Sequence, residues 1–171
     1  MNIFCQLARQ SIKYYLETGK QLRTPKNLPP TLKTKSAVFV SIHTKSGNLR
    51  GCIGTFIPTQ PNLAQEIIYN AISATSEDPR FYPIKKSELK DLKISVDLLS
   101  DPETAKDVKD LNPKKYGVIV KSASGQTGLL LPDLPEIDSA EKQIAIACQK
   151  AAISPTEPIQ LYRFTVKRHH E

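Results

Sequence analysis

A single thiol sits among glycines in Leu49-Arg50-Gly51-Cys52-Ile53-Gly54-Thr55, with a guanidinium two positions before it. Thiolate is the reactive form of cysteine, and a nearby positive charge favours it. In a strand, alternation places positions 50 and 52 on one face and 51 and 53 on the other unless a bulge intervenes. Arg50 and Cys52 can then act as a pair, with Gly51 and Gly54 letting a ligand come close to the backbone. A thiol nucleophile also needs a base. The histidines are His43, His169 and His170, and His43, one strand earlier, could reach across to Leu49–Gly51. The inert alternative is a cysteine that packs as a small hydrophobe or lines a ligand site.

A second constellation is Asp78-Pro79-Arg80-Phe81-Tyr82-Pro83. Prolines stiffen the segment, and Arg80 could clamp a carboxylate or phosphate through its planar fork, with Phe81 beside it. Alternatively Asp78 and Arg80 cap the preceding helix and pair with each other or with Arg50, holding two lobes together. His169-His170-Glu171 reads as a frayed tail, so no metal site is expected there.

Ile3, Leu7, Ile12 and Tyr15 recur at helical spacing over Asn2–Thr18 and stop at Gly19. Lys20–Lys35, with Pro25, Pro29 and Pro30, reads as a surface loop. Ser36 onward is β-branched and aromatic, so a hairpin turning at Ser46–Asn48 would carry the heptapeptide on its second strand. Asn62 or a neighbour caps a helix through Leu63, Ile67, Ile68, Ala71 and Ile72 that packs on the sheet. A short helical stretch at Lys86–Leu92 follows. Lys93–Ser100 alternates as a strand with one buried face. Tyr116–Lys121 and Gly128–Leu131 are further strands, Asp138 or Ser139 caps a last helix, and Ile159–Val166 is the final strand. The predicted class is α+β, a mixed, mostly antiparallel sheet with flanking helices, lacking the regular alternation and phosphate-binding glycines of a dinucleotide fold.

The 171 residues, 39% of them hydrophobic, suit one folding unit over 1–171, or two lobes. Three scattered cysteines, no leader pattern and no long apolar run imply a cytoplasmic protein without a membrane span. The net charge of +7 sits at the ends: residues 1–35 carry seven basic residues against Glu17, and the middle is near neutral. If the ends meet, they form a basic face for nucleic acid. Otherwise these side chains are solvated.

The heptapeptide resembles the LRGCIG signature of the AMMECR1 family. Leu7-Ala8-Arg9 with Ile12 is similar to that family's opening helix, Asp78-Pro79-Arg80-Phe81 and Pro83 with Glu88-Leu89 to its central segment, and Gly128-Leu129-Leu130-Leu131-Pro132 to its late strand. Together they span nearly the whole chain. This chain departs from the family at Lys150-Ala151-Ala152-Ile153, where lysine, alanine, glycine, leucine is common, and in having no tryptophan in its tail. The resemblance implies a two-lobed α+β fold, an intracellular location and a cleft between lobes at the signature. It also implies Memo-like and radical-SAM partners, and names no reaction and no cofactor. The expected role is small-ligand binding or an accessory enzyme activity, with Arg50, Gly51, Gly54, Asp78, Arg80, Phe81 and His43 lining the site and Cys52 as candidate nucleophile. The alternatives are a nucleic-acid-binding module and a protein adaptor.

Overall fold

A computed structural model describes residues 2–171. The chain divides into two units, one running through Leu98 and including Lys167–Glu171, the other Leu99–Val166. The first begins with α1 (Ile3–Thr18), whose Asn2 side chain accepts the Phe4 N–H at 3.0 Å and whose end is Gly19 at φ 69°. Phe4, Cys5, Leu7, Ala8 and Ile12 bury its apolar stripe. The proline-rich stretch is more than a surface loop. Proline preset at a helix start gives one turn, α2 (Pro30–Lys33), and Leu32 is buried while Leu22 and Leu28 pack on the same core.

The hairpin forms as expected, with β1 (Val38–Thr44) and β2 (Leu49–Gly54) antiparallel around Gly47 at φ 91°. Asn62 caps α3 (Leu63–Ser76) by accepting the Gln65 N–H at 3.0 Å. A 3₁₀ turn at Lys86–Asp91 leads into β3 (Leu92–Leu99), antiparallel to β1. Val38, Val40 and Ile42 of β1 and Ile94 and Val96 of β3 face the helices, where Ile67, Ile68 and Ala71 of α3 are fully buried. Each such aliphatic side chain contributes about 1.5–3 kcal/mol by leaving water.

The second unit has β4 (Glu103–Ala105) and a 3₁₀ turn at Val108–Asp110, neither expected, then β5 (Gly117–Ser122) and β6 (Thr127–Leu130). α4 (Ala140–Lys150) is capped by Ser139, and β7 (Ile159–Phe164) pairs antiparallel with β4 and β5, giving the order β4-β7-β5-β6. α4 ends in a Schellman turn: Ile153 N–H donates to Cys148 O and Ala152 N–H to Gln149 O. The left-handed position in it is Ala152, at φ 54°.

The last strand is split. β7 stops at Phe164, Thr165 exchanges hydrogen bonds with Ser100, and β8 (Val166–His170) completes the first sheet in the order β2-β1-β3-β8. The polar run Lys167-Arg168-His169-His170 shows no apolar alternation, because Arg168 faces the polar Asp97 and the position packed on α1 is itself a histidine, His169, set against Phe4 with ring centroids 4.8 Å apart. The tail is therefore not frayed. Asn2 Nδ2 lies 3.1 Å from His169 Nδ1, Cys5 Sγ donates to His169 O at 3.3 Å, and Arg9 grips the Glu171 carboxylate. Among the described residues the strands thus form two sheets of four rather than one, and no helix among them is long and apolar enough to cross a membrane.

Candidate functional site

β2 is an edge strand, and its ladder with β1 skips one residue: Ile42 faces Gly51 but His43 faces Leu49, leaving Arg50 as the extra residue of a bulge. The bulge sends the Arg50 guanidinium to the segment before β3. Nε donates to Glu88 Oε2 at 2.9 Å, Nη2 to Glu88 Oε1 at 3.1 Å, and Nη1 to Tyr82 O at 2.8 Å. Arg50 is therefore committed to a carboxylate and to backbone carbonyls. The positive charge that acts on the Cys52 thiol is Arg80.

The two glycines serve packing. A Cβ at Gly51 would stand 2.1 Å from the Ala74 carbonyl of α3, and one at Gly54 would stand 2.2 Å from the ring of Phe39, its cross-strand partner. The room expected there for a ligand is filled by helix backbone and by an aromatic ring.

Cys52 is half-buried, opposite Ser41, whose hydroxyl donates to its sulfur at 3.1 Å. Burial pushes the thiol pKa up, while the Ser41 hydrogen bond and the Arg80 charge pull the other way. On the edge side, Cys52 offers a backbone N–H and C=O with no strand to pair them, and the second constellation takes their place. Asp78 Oδ2 accepts the Cys52 N–H at 2.8 Å, and Arg80 Nη2 donates to the Cys52 carbonyl at 3.1 Å. Asp78, almost fully buried, also accepts from Arg80 Nε at 2.9 Å and Nη2 at 2.7 Å. The Arg80 hydrogen bond, against burial and aided by the Cys52 N–H, holds the Asp78 carboxyl down at about 2. Of the two readings of this pair, mutual pairing is what forms. Even so, the Arg80 side chain remains 55% exposed, and its Nη1 makes no hydrogen bond among the described residues. Phe81 lies beneath it, with Arg80 Cζ 5.4 Å from the ring centroid.

Cys52 and Ser41 belong to the sheet face that points away from the helices. On the same face β3 presents Ser95 and Asp97, paired across from Ser41 and Phe39. β3 was expected to have one buried face, yet Ser95 and Asp97 are buried too, and Arg168 of β8 grips Asp97 with two bonds of 2.9 Å. His43 shares this face. Burial first, then Arg168 and His170, lower its pKa, so it is a neutral imidazole at pH 7. No hydrogen bond joins His43 to Cys52 among the described residues, and no three metal-ligating side chains gather among them.

Sequence reasoning gave no role to Glu88, Ser41, Asp97 or Arg168. Glu88 lay within a stretch that resembled the family, and alternation placed Asp97 on a definite face. Neither signal named a partner. Glu66 was also missed. Fully buried in α3, it accepts from Thr55 Oγ1 at 2.6 Å, Thr59 N at 2.8 Å and Gln60 N at 2.7 Å, fastening the chain that leaves β2.

The AMMECR1 family model matches residues 5–169. A protein of Thermotoga maritima is 45% identical over 168 residues, covering 97% of this chain and 96% of that one. A protein of Clostridium acetobutylicum is 45% identical over 170 residues, but this chain spans only 36% of it. The crystal structure of an uncharacterized protein from Pyrococcus horikoshii superposes with a TM-score of 0.89 at 34% identity, covering 98% of this chain and 89% of that one.

Proposed function

This chain belongs to the AMMECR1 family, and from that premise we propose that it binds a small anionic ligand at the edge of its first sheet, with Arg80 taking the anion beside the Cys52 thiol. The observation that carries this reading is the state of Arg80. Asp78 and the Cys52 carbonyl hold Nε and Nη2 from behind, while Nη1 makes no hydrogen bond among the described residues. A guanidinium fixed in this way has already given up much of its rotamer freedom, so an arriving carboxylate or phosphate meets a preset donor. Asp78, Phe81 and the Gly51–Gly54 strand set the position of Arg80. Ser41 and the neutral His43 share the thiol's sheet face, and in this reading His43 would be the base if Cys52 acts as a nucleophile.

In this proposal the protein is an accessory to Memo-like and radical-SAM partners. Support for that comes from the family resemblance. The test is a melting-temperature screen of carboxylate- and phosphate-bearing metabolites against the wild type and Arg80→Gln. Compounds that stabilise the wild type should lose their effect in Arg80→Gln and weaken in Cys52→Ala. A library with no stabilising compound, or compounds that stabilise Arg80→Gln equally, would defeat the proposal.

Nucleic-acid binding at the basic ends is the second reading. The contacts of Asn2 and Cys5 with His169 favour it, because they bring the two ends together. Pairing of Arg9 with Glu171 and of Arg168 with Asp97 counts against it. Affinity for a single-stranded oligonucleotide that falls steeply with added salt would be its signature.

A further inference from the structure

A cleft of about 480 Å³ lies wholly within the second unit, lined by the segment entering β4, the residues before β5 and the end of β7. That volume is in the range of small-molecule sites. Its charged side chains are Asp101, Glu103, Lys115 and Arg163. Two of them are spent on each other: Glu103 Oε2 accepts both Nε and Nη2 of Arg163 at 3.3 Å, while Nη1 donates to Asp110 O at 3.0 Å.

The remaining two carry opposite signs. Asp101 and Lys115 are exposed and make no ion pair among the described residues, either with each other or with another side chain, and the neighbouring Lys114 reaches Asp133 at 3.5 Å. Lys115 is instead placed by an aromatic face. Its Nζ lies 4.9 Å from the Tyr116 ring centroid, and Arg163 Cζ lies 4.7 Å from the same centroid. Tyr116 is itself fixed, because its N–H donates to Asn112 O at 2.7 Å and its carbonyl accepts Gln143 Nε2 at 2.9 Å. Next to it, a Cβ at Gly117 would stand 2.2 Å from the Phe164 ring, so that ring packs directly on backbone. One residue before Asp101, Ser100 and Thr165 exchange two hydrogen bonds of 3.0 Å. A frame held at these points leaves little to be ordered when a ligand arrives.

We infer that this cleft binds a small zwitterion of the α-amino-acid class, with its ammonium on Asp101 and its carboxylate on Lys115. Opposite charges that share a cleft without meeting leave a gap that such a ligand spans. A simple anion would meet Asp101 and Glu103, and a simple cation would meet Lys115 and Arg163, whereas a molecule carrying both signs answers both free charges. The site goes beyond the anion site, since Arg80 and Cys52 belong to the first unit.

The test titrates the isotope-labelled full chain with the proteinogenic amino acids and follows its backbone amide chemical shifts. At least one amino acid should give saturable shifts at residues 100–103 and 115–117. Its N-acetyl and carboxamide derivatives, each lacking one charge, should bind about tenfold more weakly. Asp101→Asn should weaken the amino acid by about tenfold while leaving the N-acetyl derivative unaffected, and Lys115→Gln should do the same with respect to the carboxamide. Both side chains are exposed, so melting temperatures should stay unchanged. No saturable shift with any amino acid, shifts at residues 50–54 and 78–82 instead, derivatives that bind as well as the parent, or equal binding by Asp101→Asn would each overturn the inference.

Discussion

Asp78→Asn keeps the shape of a buried side chain and removes its charge. Asparagine can still accept the Cys52 N–H through its carbonyl oxygen, but its amide group then faces the Arg80 donors that now sit 2.7 and 2.9 Å from the carboxylate. The Asp78 carboxyl is lowered from 3.8 to about 2. A depression of that size corresponds to about 2 kcal/mol of folding stability. Because Arg80 is 55% exposed, solvent screening brings the expected loss to about 1–2 kcal/mol. The sign follows from linkage: a carboxyl with a depressed pKa in the folded state contributes fully above its unfolded value, and the contribution fades as pH falls from about 4 through about 2. Urea denaturation of wild type and Asp78→Asn should therefore differ by that amount at pH 7, and the two should converge as pH falls below about 4. A difference that is absent at pH 7, or that stays constant down to pH 2.5, would refute the paired-carboxylate account of this edge.

Gly51→Ala should be among the most damaging small substitutions, because its Cβ would meet the Ala74 carbonyl at 2.1 Å and backbone cannot swing aside; a melting temperature within about 2 °C of wild type would contradict this packing. Ala152→Gly should stabilise the protein by about 0.5–1 kcal/mol, since relief of the left-handed alanine exceeds the added freedom of the unfolded chain; a lower urea midpoint would show that Ala152 is not strained. Glu66→Gln replaces a buried acceptor of several N–H and O–H donors with a group carrying donors of its own. It should cost about 1–3 kcal/mol and speed hydrogen exchange at residues 55–60, and unchanged exchange there would remove Glu66 as the anchor.

Much of the fold follows from local chemistry. Apolar spacing with Gly19 as a stop locates α1, the candidate caps Asn62 and Ser139 help locate α3 and α4, and the β-branched run with its turn at Ser46–Asn48 locates the hairpin. What stays hidden depends on contacts distant in sequence. β8 has no apolar alternation because Arg168 answers the polar Asp97 on one face and a histidine, His169, packs on Phe4 on the other, and those partners become visible only once the strands are ordered. At the candidate site, alternation allows Arg50 and Cys52 one face, but the bulge that turns Arg50 toward Glu88 is a property of pairing with β1. The glycines of the heptapeptide are equally ambiguous in sequence, since a position that admits a ligand and one that admits a helix backbone both require a missing side chain. Conversely, the Lys150-Ala151-Ala152-Ile153 departure from the family falls on a left-handed residue, a conflict that spacing alone could not reveal.

The most direct test of the anion site compares alkylation of Cys52 by iodoacetate and by iodoacetamide, resolved by mass spectrometry with Cys148 as the internal reference. Both reactions should be slow at pH 7, because burial keeps the thiol protonated. Relative to Cys148, Cys52 should prefer the anionic reagent, and Arg80→Gln should abolish that preference, slowing both reagents because the thiol loses the charge that favours thiolate, but slowing iodoacetate more. The same reagent ratio at Cys52 with and without the Arg80 guanidinium would mean that this arginine delivers no anion to the thiol.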